Sequence, residues 1–171
     1  MLITKNMNAE INRQICYEFS AMLQYVAIAS YFVSDSLHEL AGHFYRQAEE
    51  ERAHAMRFIK YLLDAGGQVE INDVPAPQNK FASAEEAVKL SLDQEKKVTE
   101  QINALVELAM KEKDYISQNA LTWFVNEQLE EVSSMENLLK IVQLAGAKNL
   151  LYVEDYLARH KAATAGATSR L

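Results

Sequence analysis

Four long segments of the chain carry apolar residues at alternating steps of three and four, and in each segment one of these positions is a glutamate. Such steps keep side chains on one face of an α-helix, so the pattern predicts four amphipathic helices around a shared core. The interrupting residues are Glu18, Glu51, Glu95 and Glu131. The sequence therefore predicts an all-α bundle with one carboxylate from each helix directed towards its interior.

Burying these carboxylates without partners is unfavourable. Each unpaired buried carboxylate costs several kcal/mol even after relaxation, and four of them would rival the ~5–15 kcal/mol total stability of a domain. We therefore expect cations between them. The alternative is that each glutamate lies at the edge of the core and extends its carboxylate into water, which is the usual arrangement for a single glutamate on an apolar stripe.

Composition narrows the class of protein. At 171 residues, with 49% hydrophobic residues and only two prolines, the chain is expected to be one domain with a substantial core. The net charge of −7 argues against a nucleic-acid partner and is compatible with metal cations. Cys16 is the only cysteine, and no segment has the pattern of a signal peptide or membrane span. These features predict a cytoplasmic protein without a membrane partner.

Capping signals divide the chain into five predicted helices. Ser36 and Ser83 each begin a capping-box pattern, Asp114 is a favourable N-cap, and the glycines at 66–67 and 146 are stop signals. The predicted helices span about 6–33, 36–64, 83–113, 114–146 and 147–161. Residues 1–161 are thus predicted to form the bundle and its short fifth helix, and residues 162–171 a flexible tail.

The connection lengths predict that the four glutamates lie at one level. Glu18 lies seventeen positions before Asp35 and Glu51 sixteen after it, and Glu95 and Glu131 are each eighteen from Lys113. Two antiparallel hairpins would therefore align each pair. The connection at 65–82 is long enough to cross the whole bundle, which would make the second and third helices parallel. All four carboxylates would then meet.

A histidine adds a nitrogen donor to this group. His54 follows Glu51 by three residues and so shares its helix face. Carboxylates with imidazole suit Fe(II) or Mn(II), and the charge of four carboxylates suits two ions with one carboxylate bridging. The other histidines, His38, His43 and His160, have no comparable context and are interpreted as surface residues.

Four segments carry a resemblance to a known family: NRQICYEFSAMLQY, QAEEERAH, SLDQEKK and WFVNEQLEEV. With them the chain resembles the bacterial non-haem ferritins over nearly its whole length. The resemblance implies a ferritin-like four-helix bundle of two antiparallel hairpins joined by a long crossover, with a short fifth C-terminal helix. It also implies a homo-oligomeric shell of 24 subunits around an iron mineral.

The resemblance also implies the roles of individual residues. One iron site would be formed by Glu18, Glu51 and His54, and the second by Glu51, Glu95 and Glu131, with Glu51 bridging. Next to these sites would lie Gln128, as a further contact of the metal centre, and Tyr25, as a hydrogen-bond partner or electron donor in catalysis. The residues implied for a third iron site are Glu50, Glu127, Glu130 and Glu131.

Two positions differ from the residues found in related di-iron and haem-binding proteins. Ser134 stands three residues after Glu131, where a symmetric di-iron site would have a second histidine. The second iron should therefore have an oxygen-rich, weaker site, which suits iron in transit. Arg52 stands where haem-binding relatives carry a methionine, so haem is not expected.

The implied activity is that of a ferroxidase that oxidises Fe(II) with dioxygen, or with peroxide, and stores the product as ferric oxyhydroxide. Two alternatives remain. A di-iron peroxide-reducing or oxygenase-type bundle would retain about two irons per chain and form no mineral. A non-catalytic assembly protein with a water-filled acidic channel would bind no metal tightly.

Overall fold

Five helices make up the fold in the computed structural model, which describes the backbone of residues 2–168 and the side chains of residues 2–160. The helices are α1 (Lys5–Ser34), α2 (His38–Asp64), α3 (Ala84–Glu112), α4 (Tyr115–Ala145) and α5 (Leu150–Thr168). The described backbone contains no strand, which confirms the predicted all-α class. Within the described residues, no helix is long and apolar enough to cross a membrane.

Two apolar clusters show how the helices are oriented. The upper core joins Phe32 at the end of α1 to the beginnings of α2 and α3, represented by Leu40 and Val88. The lower core joins the start of α1 to the ends of α2 and α3, represented by Leu62 and Leu105. Helices α2 and α3 therefore run parallel, as predicted, and the α1–α2 and α3–α4 hairpins are each antiparallel.

The long crossover between α2 and α3 is attached to α1 through side-chain amides. Asn8 accepts from the backbone N–H of Gln68 at 2.8 Å, and Asn12 accepts from that of Glu70 at 2.9 Å. Gln24 exchanges two hydrogen bonds of 2.9 Å with the backbone of Gln78. These amides satisfy backbone groups that have no partner in secondary structure, so an irregular segment is held along the bundle.

Most helix ends follow the predicted capping signals. The Ser83 hydroxyl accepts from the Glu86 N–H at 3.1 Å, and the Asp114 carboxylate accepts from the Ser117 N–H at 3.0 Å. After α2, Gly66 adopts a left-handed φ of 74°. Its N–H bonds to the Leu63 carbonyl at 3.0 Å, which closes the helix as expected for a glycine stop.

The predicted cap at Ser36 is wrong. Helix α2 begins at His38, its N-cap residue Leu37 has no capping side chain, and Ser36 itself has a φ of 60°. Instead, the carboxylate of Glu154 on α5 accepts from the backbone N–H groups of Glu39 and Leu40, both at 2.8 Å. An ionised acceptor at a helix N-terminus also complements the helix dipole, so a distant carboxylate replaces the local hydroxyl.

The fifth helix extends beyond its predicted end. It continues to Thr168, whereas we predicted its end at residue 161 and a flexible tail over 162–171. Residues 162–168 are rich in alanine, which has the highest helix propensity and favours continuation of the helix. The last part of the predicted tail, residues 169–171, lies outside the described residues.

We expect Glu154→Ala to lower the free energy of unfolding by ~1–2 kcal/mol, because two N–H groups of α2 lose a charged acceptor. Denaturant unfolding of the assembled protein measures this change. Asp155→Ala is the matched control, since its exposed pair with Arg159 on the same helix is worth ~0.5 kcal/mol or less. Equal effects of the two substitutions would contradict the capping role.

Candidate metal centre

The four glutamates lie between the upper and lower cores, one on each of helices α1 to α4. Their exposed fractions are 1% for Glu18 and Glu51, 0% for Glu95 and 5% for Glu131. The alternative in which they extend into water is therefore wrong, and the predicted buried cluster is present. Apolar layers on both sides prevent these carboxylates from reaching solvent along the bundle axis.

Glu18, Glu51 and His54 form one candidate metal-binding group, since one ligand atom from each lies within 4.8 Å of the others. Gln14 donates to Oε1 of Glu18 at 2.9 Å, which orients that carboxylate. Within the described part of the chain, Oε2 of Glu18 and Oε2 of Glu51 are buried without a hydrogen-bond partner, and Nδ1 of His54 lies 3.4 Å from Oε2 of Glu51. Buried carboxylate oxygens without donors are suited to a cation, so these residues fit the predicted iron ligands.

Glu95 is held by neutral donors. The Tyr25 hydroxyl donates to its Oε1, and Gln128 donates to its Oε2 at 3.2 Å. The same Gln128 amide lies 3.2 Å from the Thr99 hydroxyl, which connects it to the next turn of α3. Tyr25 and Gln128 thus lie beside the cluster, as predicted, and their observed contacts position a carboxylate.

The second group of three candidate metal ligands contains other residues than the predicted second iron site. Ligand atoms of His54, Glu127 and Glu131 lie within 4.8 Å of one another, whereas Glu51, Glu95 and Glu131 are not such a group among the described residues. The two oxygens of Glu95 accept hydrogen bonds from Tyr25 and Gln128. His54 therefore belongs to both groups.

Burial shifts the protonation of the whole cluster. It raises the pKa values of Glu18, Glu51 and Glu95 above their ordinary range, and the negative charges of Glu95 and then Glu18 raise that of Glu51 further. The pKa of Glu131 is raised to about 8, first by burial and then by the charge of Glu95. The Glu131 carboxyl therefore retains its proton near neutral pH, and a bound cation would displace it.

The four glutamates predicted for a third iron site share one surface cleft. The cleft has a volume of about 250 Å³, opens between α2 and α4, and adjoins the buried cluster through Glu131. Its lining residues are His43, Arg46, Gln47, Glu50, Glu127, Glu130, Glu131 and Ser134. The cleft therefore connects the interior carboxylates with the protein surface.

His43 lines the surface cleft, but its side chain is half-buried. Its Nε2 atom is buried and has no hydrogen-bond partner among the described residues. Burial, and then the positive charge of Arg46, lowers its pKa to about 4, so the imidazole is neutral at physiological pH. The sequence does contain a signal for the position of His43. His43, Gln47, Glu50 and His54 follow one another at steps of four, three and four, which places them on one face of α2.

Aromatic packing fixes the orientation of the His54 ring. Trp123 meets it edge-on, with ring centroids 5.5 Å apart, and the Arg57 guanidinium lies 4.0 Å above the Trp123 ring. Cation–π contacts of this kind hold both side chains in place. Packing between α2 and α4 therefore sets the position of the His54 ring, which belongs to both groups of candidate metal ligands.

Comparison with known proteins agrees with this architecture. The model of the ferritin-like domain family matches residues 8–145. Ferritin BfrB of Mycolicibacterium smegmatis is 46% identical over 156 residues, covering 91% of this chain and 86% of the relative. The bacterial non-heme ferritin of Staphylococcus aureus is 35% identical over 155 residues, covering 90% and 93%. A solved open-pore ferritin from Archaeoglobus fulgidus superposes with a TM-score of 0.88 at 34% identity, covering 91% and 96%.

We expect the metal-free protein to lose stability as the pH rises from about 5 to about 8. The folded state keeps a proton on Glu131 up to about pH 8, whereas the unfolded carboxyl ionises near its model value of 4.5. Between these values the folded state binds more protons, so its stability falls with rising pH. Glu131→Gln should flatten this slope and raise Tm at pH 8 by about 3 °C or more. Thermal melts in chelator across this range test the expectation, and an unchanged slope in the variant would contradict it.

Glu51→Leu and Glu95→Leu should have opposite effects on the metal-free protein. Leucine at position 51 removes a carboxyl group whose ionisation is opposed by burial and by the charge of Glu95 and which has only a 3.4 Å contact with Nδ1 of His54, so we expect an increase in stability of about 1–3 kcal/mol. Leucine at position 95 leaves Tyr25 and Gln128 without their acceptor, so we expect a decrease of about 1–3 kcal/mol. Denaturant unfolding in chelator measures both. Destabilisation by Glu51→Leu would show that the carboxylate is already satisfied.

Proposed function

The chain belongs to the ferritin family, and on this premise we propose that it is an iron-storage protein that oxidises Fe(II) with dioxygen at its buried cluster. The observation that supports this most directly is the buried group of Glu18, Glu51 and His54, in which two carboxylate oxygens have no hydrogen-bond partner among the described residues. Iron is the substrate of this reaction and the cargo of the assembly.

In this proposal each residue has a defined task. Glu18 and His54 bind one Fe(II) ion, Glu95 and Glu131 bind the other, and Glu51 bridges them. Carboxylates favour the higher charge of Fe(III) over Fe(II), so the donor set promotes loss of one electron from each ion to dioxygen. Tyr25 and Gln128 hold Glu95 in place for the second ion.

Product iron leaves this centre by the adjoining cleft. The third iron site is proposed at Glu50, Glu127, Glu130 and Glu131, where the negative charge of the cleft attracts cations. Ser134 lines this cleft in place of a second histidine, so the donors on the α4 side are oxygen atoms. Such a site suits iron in transit to a ferric oxyhydroxide mineral.

Storage requires a container, and exposed apolar side chains support assembly. Leu144, Leu151 and Tyr152 are 88%, 76% and 73% exposed in the single chain. Large exposed apolar groups on neighbouring segments indicate a protein–protein interface, and family membership supports a homo-oligomeric shell of 24 subunits. The cytoplasmic location remains a prediction from the sequence.

Aerobic titration with Fe(II) distinguishes the storage function from its alternatives. We expect uptake of hundreds of irons per assembly, with ferric mineral visible by electron microscopy. Uptake that stops near two irons per chain would support a di-iron peroxide-reducing or oxygenase-type enzyme instead. No uptake and no oxidation would support a non-catalytic assembly protein.

Single substitutions separate the oxidation centre from the cleft. His54→Ala should slow the initial oxidation of Fe(II) on the order of 10–100-fold, since it removes the nitrogen ligand. His38→Ala is the matched control, because His38 is an exposed histidine on the same helix. Glu130→Ala should keep the fast initial phase and change only the oxygen-to-iron ratio. Stopped-flow absorbance measures these rates, and loss of the fast phase in Glu130→Ala would show that the cleft takes part in the first oxidation.

A further inference from the structure

We propose that His43 and Gln47 form an additional metal-binding subsite in the cleft, which holds a divalent transition-metal ion through Nε2 of His43 and Oε1 of Gln47. This inference rests on the proposed function and deepens it, since it defines where iron is held between the buried centre and the surface. The ligand class is a borderline cation such as Fe(II), Zn(II) or Co(II), for which imidazole nitrogen is a preferred donor.

Both proposed ligand atoms are buried and unused. Nε2 of His43 and Oε1 of Gln47 have no hydrogen-bond partner among the residues that the structure describes, and Gln47 is only 6% exposed. Both residues line the cleft. A buried polar atom without a partner costs free energy, so two of them on adjoining turns indicate a ligand that satisfies both.

The backbone holds the two donors at a chelating spacing. His43 and Gln47 are four residues apart on α2, which places their side chains on neighbouring positions of one helix face. The Gln47 amide nitrogen donates to Glu50, so the carbonyl oxygen of the amide is directed away from that carboxylate. This bond orients Oε1 as an acceptor with no further change in structure.

Charge in the cleft favours a cation. Arg46 contributes one positive charge, whereas Glu50, Glu127, Glu130 and Glu131 contribute carboxylates. The cleft remains net negative even when the Glu131 carboxyl is protonated. His43 is neutral at physiological pH because burial lowers its pKa to about 4, so Nε2 can carry a lone pair towards the ion.

The subsite lies apart from the oxidation centre along α2. Eleven residues separate His43 from His54, which corresponds to ~16 Å of helix rise. Between them, Gln47 and Glu50 continue the same face of the helix. These side chains form one row of donors along which a cation could move between the two histidines. From His54 towards His43 the donors change from carboxylates to an amide and an imidazole.

Zn(II) binding to the metal-free assembly tests the subsite. We expect anomalous diffraction from Zn-soaked crystals to show an ion ~2.0–2.2 Å from Nε2 of His43 and next to Oε1 of Gln47. In solution, His43→Phe and Gln47→Leu should each weaken one Zn(II) site per chain at least 10-fold. His38→Ala should leave the number and affinity of sites unchanged. Gln47→Leu decides the outcome if His43→Phe does not assemble.

An absent anomalous peak at His43, or wild-type Zn(II) binding in the assembled variants, would overturn the subsite. A separate assay of aerobic Fe(II) oxidation tests the proposed function independently of the Zn(II) subsite. A wild-type protein that does not oxidise Fe(II) would refute the oxidation function while the Zn(II) result still decides the subsite. Loss of the Zn(II) site with a preserved fast oxidation phase would support a holding site distinct from the catalytic centre.

Discussion

Burial of four carboxylates at one level of a helical bundle is the constraint on which the structure depends. Apolar layers lie above and below Glu18, Glu51, Glu95 and Glu131, each of which is at most 5% exposed. In that environment like charges repel strongly and ionisation is unfavourable. Gln14, Tyr25 and Gln128 satisfy only some of the carboxylate oxygens, and Glu18 and Glu51 lie with His54 in one group of candidate ligands. The cluster is thus suited to cations.

His54 connects the buried cluster with the surface cleft. This side chain belongs to a buried group with Glu18 and Glu51 and also to a group with Glu127 and Glu131 that adjoins an open cleft. Packing by Trp123 and Arg57 holds the ring in this shared position. Candidate ligands therefore extend stepwise from the buried core to the surface cleft.

Local sequence signals predicted the features that depend on neighbouring residues. The apolar stripes located the helices, and Ser83 and Asp114 cap α3 and α4 as expected because a cap involves only the next three residues. The cap predicted at Ser36 failed because Glu154, more than a hundred residues away, supplies a charged acceptor. The partial burial of His43 is not visible in the pattern of one helix, because it depends on the side chains of α4 that share its cleft.

The sequence by itself determined that one glutamate from each of four helices meets at a common depth, because helix periodicity and the distance from each turn are properties of the local chain. Only the tertiary structure decided which donor or ligand each carboxylate oxygen contacts. Glu131, for example, lies with His54 and Glu127, whereas Glu95 is held by Tyr25 and Gln128. The physical reason is that side-chain partners depend on the rotation and separation of packed helices, at distances of an ångström or less, and periodicity does not specify these.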